Sequence, residues 1–269
     1  MPMISFCEKI KAINNMMNLS RRAFFSVAMA SLALAGSAAS AAPIYWTDWT
    51  TQLSAAQGFK GQGTITTSTS TVTVTYTNVQ GIAFFQAAGG PDYWADSSYV
   101  RDNATSPYTS AIVDNIPTGT DIVGLQFAGD QTLQFSQTIA NPVFSYVSLN
   151  GNGYAFLDQD FDILSFGNGT SDNHCGYWGC GTSYKEIIDL GNGHKEYRLL
   201  GTGEPHGTIR FTGAFDTLTW RSMSNEGWNG FTIGVQGTAA EVGIPEPATA
   251  ALFGLGLAGM GLIRRRRAG

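Results

Sequence analysis

Apolar and polar positions divide this chain into three parts. Ala23–Ala35, near the start, and Ala248–Ile263, near the end, run without a charge. Between them, apolar residues alternate with polar ones or gather in short β-branched and aromatic runs bounded by Gly, Asn, Asp and Pro. Val72, Val74 and Tyr76 alternate with threonines. Ile82–Phe85, Ile122–Phe127, Thr132–Phe135, Val143–Leu149, Tyr154–Leu164, Tyr184–Ile188, Lys195–Leu200, Thr208–Phe211, Phe215–Trp220 and Phe231–Val235 complete the series. A period of two is the mark of a half-buried strand, and turn signals every ~8–15 residues suit closely spaced antiparallel strands. The pattern predicts about eleven strands, no amphipathic helix and an all-β body, an antiparallel β-sandwich or jelly roll, over residues 42–244.

The two uncharged runs read differently. Lys9, Lys11, Arg21 and Arg22 precede the first, and small residues from Gly36 to Ala41 follow it. A positive segment, a short apolar run and an A-x-A site at Ala39-Ser40-Ala41 form a signal peptide, residues 1–41, cleaved after Ala41. The run is too short for a retained membrane anchor. Met16 or Met17 is a more natural start than Met1. Ser20-Arg21-Arg22-Ala23-Phe24-Phe25 resembles a twin-arginine export signal, and ordinary Sec export fits equally well.

The second run follows Pro245-Glu246-Pro247 and precedes Arg264, Arg265, Arg266 and Arg267. As a helix, residues 248–263 reach about 24 Å at 1.5 Å per residue. The hydrocarbon core is about 30 Å thick, and snorkelling arginines close the difference. The arginines hold their end cytoplasmic, which agrees with a signal peptide that sends the body outside. The triplet, short Gly/Ala/Leu-rich helix and terminal arginines resemble the PEP-CTERM sorting signal of Gram-negative bacteria. That resemblance implies export, transient residence in the inner membrane, cleavage at the triplet by an exosortase, and delivery to the cell surface or exopolysaccharide matrix. Tyr154-Ala155-Phe156, Phe161–Ser165, Gly207–Phe211 and Trp228–Val235 resemble the bodies of other PEP-CTERM proteins, which implies a β-sandwich and brings no catalytic residue.

Charge narrows the function. Charged residues are 13% of the chain, about half the usual 25%, and aromatics are 12%, a composition that excludes disorder. The body carries seven basic and eighteen acidic residues, net −11. That favours cations and disfavours nucleic acid. No G-x-S-x-G, H-E-x-x-H or P-loop is present.

Five patterns remain as candidate chemistry. Cys175 and Cys180 flank Gly-Tyr-Trp-Gly and read as a disulfide formed in an oxidising compartment. A zinc site with His174 is the rival reading, without the usual paired ligand spacing. Cys7 leaves with the signal peptide. Asp158, Asp160 and Asp162 recur with period two; on one strand they would place three carboxylates on one face. Such a row is either a solvated face or a Ca²⁺ site, although Ile163 and Gly169 stand where an EF-hand needs Gly and Glu. Thr67 to Thr77 at every second position form one threonine row, a polar face for which ice binding and O-glycosylation are the functional readings. Glu204 and Glu226 are the carboxylates a glycosidase reading would choose, with nothing in their spacing to select them. Trp46, Trp49, Trp94 and Trp178, each beside a tyrosine or in a run predicted as loop, are candidates to stack on sugar rings.

The expected function is that of a non-enzymatic surface or matrix component of structural or adhesive type, without a cofactor unless Ca²⁺ binds. A polysaccharide-binding module and a secreted glycan-active enzyme are the alternatives.

Overall fold

The computed structural model describes residues 43–95, 101–169 and 173–244. All of these belong to the second of two units, Met1–Ala39 and Ser40–Gly269. The expected signal peptide, sorting triplet, helix 248–263 and Arg264–Arg267 lie outside the described residues.

Among the described residues sixteen strands follow one another: β1 (Tyr45–Trp46), β2 (Asp48–Leu53), β3 (Phe59–Thr66), β4 (Thr71–Asn78), β5 (Phe84–Gln86), β6 (Ile122–Leu125), β7 (Gly129–Ala140) and β8 (Val143–Val147), then β9 (Tyr154–Leu157), β10 (Phe161–Phe166), β11 (Gly181–Gly191), β12 (His194–Gly203), β13 (Gly207–Phe211), β14 (Ala214–Ser222), β15 (Asn229–Val235) and β16 (Gly237–Thr238). They build two antiparallel sheets. One runs β10-β13-β8-β15-β6-β5, with β1 also paired to β15. The other runs β11-β12-β9-β14-β7-β4-β3-β2, with β16 paired to β7. This is the expected all-β antiparallel architecture, consistent with a β-sandwich.

An aromatic seam joins the sheets. Phe144 of β8 and Phe231 of β15 stack with centroids 5.1 Å apart and planes 6° from parallel. Trp220 of β14, in the opposite sheet, meets both edge-on at 5.4 and 5.0 Å. Tyr76 of β4 reaches Phe231 at 5.2 Å, and Tyr154 of β9 reaches Phe144 at 5.8 Å. Each such pair adds about 0.5–1.5 kcal/mol beyond the apolar area it buries.

The strands at the seam are covered on both faces. In β8, Phe144 and Tyr146 enter the main core, whereas Val143 and Val147 join two smaller clusters on the other side. Trp94, Tyr108 and Ile116, from the long β5–β6 connection, pack there against Ile122 and Val147. At the start of the described body, Ile44 and Trp46 pack there with Val113 and Val143. Hence β8 and β15 are buried along their whole length, as strands covered on both faces must be.

Two departures from the sequence expectation have local causes. Strand β3 escapes pattern reading because Gly61 and Gly63 hold its inward positions. A Cβ at Gly61 would lie 2.9 Å from the Phe59 ring, and one at Gly63 would lie 3.0 Å from that of Trp49. The apolar volume is supplied by neighbouring rings. The run Tyr154–Leu164 is also two strands rather than one. Asp158 takes φ 54°, and the chain passes there from β9 in one sheet to β10 in the other.

The described chain ends in a short helix, α1 (Ala239–Val242), with a capping box between Thr238 and Glu241. Thr67 and Thr69, in the β3–β4 turn, donate to Oε1 of Glu241. These bonds, with those from Thr238, hold the Glu241 carboxyl down at about 2. The latch fixes where the chain leaves the body toward the triplet.

Replacing Phe231 with Ala should lower unfolding free energy by about 3–5 kcal/mol, the usual cost of deleting a buried Phe. Urea denaturation checks this, and a loss below about 1 kcal/mol, the range of a surface change, would contradict the seam.

Candidate functional site

The connections β8–β9, β10–β11, β12–β13 and β14–β15 all cross between the sheets at one end of the body. Hydrogen bonds tie them together. Leu149 N donates to Pro205 O at 2.9 Å, Glu204 N to Cys180 O at 3.0 Å and Met223 N to Gly153 O at 3.0 Å. Asn152 Oδ1 accepts from the backbone N–H groups of Gly153, Met223 and Ser224.

The disulfide is at this end. Cys175 and Cys180 are bonded, with Cα atoms 4.4 Å apart. Within the loop, Gly176 and Gly179 exchange backbone hydrogen bonds of 3.0 and 3.2 Å, so Tyr177 and Trp178 occupy the tip of a tight turn. Glycine is required where this loop meets its neighbour. A Cβ at Gly176 would lie 2.6 Å from the His206 ring, and one at Gly181 would lie 2.3 Å from the Glu204 backbone. The turn therefore presses directly on the chain that carries Glu204.

Ser148, Asn150, Trp178, Glu204, Glu226, Gly227 and Trp228 line an open cleft of about 300 Å³. Trp178 is 54% exposed. Its ring lies 6.3 Å from that of Trp228 and 4.8 Å from that of Tyr177. Trp228 is braced edge-on by Phe84 at 5.1 Å and Tyr93 at 4.9 Å. Glu204 accepts hydrogen bonds from Ser148 Oγ at 2.9 Å and from Asn150 Nδ2. Glu226 Oε2 accepts from Asn229 Nδ2 at 2.8 Å, and Asn229 Oδ1 accepts from the Tyr154 hydroxyl. Glu226 Oε1 is enclosed and has no hydrogen-bond partner among the described residues. Burial, with Glu204 adding to it against the Asn229 hydrogen bond, pushes the Glu226 carboxyl up to about 8. The cleft thus holds the raised Glu226 carboxyl and the hydrogen-bonded Glu204 beside two indole rings.

Of the four tryptophans expected to meet sugar, three are interior. Trp46, Trp49 and Trp94 are 8%, 0% and 1% exposed. Trp46 and Trp49 lie on strands, and all three indole N–H groups have partners: Asn115 O at 3.3 Å, Thr232 Oγ1 at 3.3 Å and Asp121 O at 3.1 Å. A buried Trp needs such a partner, and no sequence pattern shows one. Trp178 alone of the four faces solvent, and its companion is Trp228. Glu204 and Glu226, which sequence spacing could not select, share its cleft.

The three aspartates do not form one strand face. Asp158 and Asp160 lie in the β9–β10 turn and Asp162 on β10. Each meets a basic side chain: His194 at 2.6 Å, Lys185 at 2.8 Å and Arg210 at 3.1 Å respectively. The His194 hydrogen bond holds the Asp158 carboxyl below its usual range. The three carboxylates are thus met by basic partners from within the chain. Among the described residues, no group of three or more His, Cys, Asp or Glu side chains is arranged to hold a metal ion. Thr71, Thr73, Thr75 and Thr77 do share the outer face of β4, but Thr67 and Thr69 turn to Glu241. Across the ladder, Thr71 faces Thr66, Thr73 faces Thr64 and Thr77 faces Thr132, whereas Thr75 faces Gln62 and Gln134 and Thr77 faces Lys60 on its other side, so threonine pairing is interrupted along the strand.

The fold and its single-ended cleft define a class, an antiparallel β-sandwich body with its connections gathered into one site. A family model described as the PEP-CTERM protein-sorting motif matches residues 243–267. The chain therefore carries that motif, with Pro245-Glu246-Pro247 and Arg264–Arg267 inside it, and is an exported, membrane-transiting protein sorted by an exosortase. The match covers the tail alone. No curated protein and no solved structure matches the chain.

Two outcomes follow. The folded state binds the Glu226 proton more tightly than the unfolded chain, whose carboxyl titrates at 4.5. Its stabilising contribution is full below that value and is lost as pH rises through about 8. Melting temperatures of Glu226→Gln should fall less between these pH values than those of the parent protein, and parallel curves would contradict the raised carboxyl. Replacing Pro245-Glu246-Pro247 with alanines should leave a longer, membrane-retained form on immunoblots of cell fractions. Normal release of that variant would contradict cleavage at the triplet.

Proposed function

We propose that the exported body is a non-enzymatic adhesive component of the cell surface or exopolysaccharide matrix, and that it holds polysaccharide in the Trp178–Trp228 cleft. The observation that carries this reading is an exposed indole kept in the open by a disulfide-closed turn, beside a second braced indole and a hydrogen-bonded carboxylate. Burying Trp178 would be favourable if nothing opposed it. Indole faces with adjacent acceptors match the apolar faces and hydroxyl edges of a sugar. The same geometry favours holding over cleaving. Glu226 Oε2 is engaged by Asn229 and Oε1 is enclosed, so neither oxygen is placed to give a proton to a glycosidic bond.

The test is affinity electrophoresis of the released protein through gels containing extracellular polysaccharide from a Gram-negative host. Retardation is expected, with Trp178→Ala and Trp228→Ala together weakening it by about tenfold or more, a loss of ~1.4 kcal/mol or greater. Retardation of the double variant equal to that of the parent would overturn the reading.

A further inference from the structure

We infer that the ligand of this cleft is a polysaccharide bearing free ammonium groups, an incompletely acetylated amino-sugar polymer. The inference rests on the glycan-binding reading of the same cleft and names the chemistry it selects.

The residues lining the cleft include two carboxyls and no basic side chain. Elsewhere in the body, carboxylates engage five of the seven Lys and Arg side chains. Arg101 pairs with Asp92, Lys185 with Asp160, Arg198 with Glu186 and Glu196, Arg210 with Asp162, and Arg221 with Glu196. Among the described residues, neither Glu204 nor Glu226 has an ion-pair partner. The cleft sits on a body of net charge −11, so the potential there attracts cations and repels uronate or sulfated chains.

The acceptors are also incompletely used. An ionised carboxylate offers about four lone-pair sites, and Glu204 fills two, from Ser148 and Asn150. These bonds fix the carboxylate without neutralising it. An ammonium group brings three donors and the missing charge together. A hydroxyl brings one donor and leaves the charge unmet, and an N-acetyl group offers a single N–H donor without charge. The indole faces of Trp178 and Trp228 add attraction for a cation held over them, which no anionic or neutral sugar obtains. Ring stacking would thus retain a neutral glycan, whereas the charge of Glu204 discriminates in favour of the amine.

The test compares a glucosamine hexamer, its fully N-acetylated counterpart and a uronate hexamer by calorimetry, at a pH where the amines are charged. The glucosamine hexamer should bind about tenfold tighter than the acetylated one, the scale of one charge-assisted contact, and the uronate should not bind. Glu204→Gln should abolish that preference, bringing the affinity for the glucosamine hexamer down to that for the acetylated one. Trp178→Ala, an exposed position that does not endanger folding, should weaken both. Asp162→Asn, at the other end of the body, should change neither. Equal affinity for the two hexamers would overturn the charge selection and leave glycan binding standing. No binding of either would overturn both. Equal weakening by Asp162→Asn and Glu204→Gln would reduce the effect to unspecific attraction and overturn the inference.

Discussion

The stack of Phe144 on Phe231, closed by Trp220 from the facing sheet, is the contact around which the molecule is arranged. Its two strands are neighbours in one sheet, and their partners Trp220, Tyr154 and Tyr76 lie on three strands of the other. Rings in edge-to-face and offset contact tolerate little sliding, so the seam sets how β8 and β15 lie over β9 and β14. From there the chain must change sheet at each of several turns. Antiparallel order sends β8–β9, β12–β13 and β14–β15 to the same end. The cleft is thus a consequence of how the sheets are joined, and its residues sit on short turns between buried strands.

Rigidity at that end has a second source. A disulfide spanning five positions constrains little of the unfolded chain, since the entropy gained from a crosslink grows with loop length. Its effect is local: it holds Tyr177 and Trp178 at the tip of a turn that Gly176 and Gly181 press against His206 and the Glu204 backbone. An exposed indole fixed before the ligand arrives loses less freedom on binding than a mobile one. Glu226 adds an opposing pressure. Its enclosed carboxyl is easier to keep neutral than ionised, a local cost of the sort that concentrates at sites built for a ligand.

The sequence made the body's class legible because alternation survives wherever one face is wet, as in β4. It also made the tail legible, because a proline triplet, an uncharged run and an arginine cluster are contiguous. What it hid was long-range. Gly61 and Gly63 look like loop residues until the rings that fill their space are seen. Trp46, Trp49 and Trp94 look exposed until Asn115, Thr232 and Asp121 take their indole protons. Asp158, Asp160 and Asp162 look like one face until Asp158 turns the chain between sheets. Glu204 and Glu226 stand on separate turns, and only the strand order brings them to one cleft. The disulfide was readable from compartment and spacing, but its role in presenting Trp178 was not.

The claim that one end of the body is a glycan site formed by these turns is tested most directly by following the six tryptophan indole N–H signals in a nuclear magnetic resonance titration with a glucosamine hexamer. The account predicts that the signals of Trp178 and Trp228 move together and saturate, while those of Trp46, Trp49, Trp94 and Trp220, enclosed in the core, stay in place. Movement of the buried signals with Trp178 and Trp228 unchanged would contradict it.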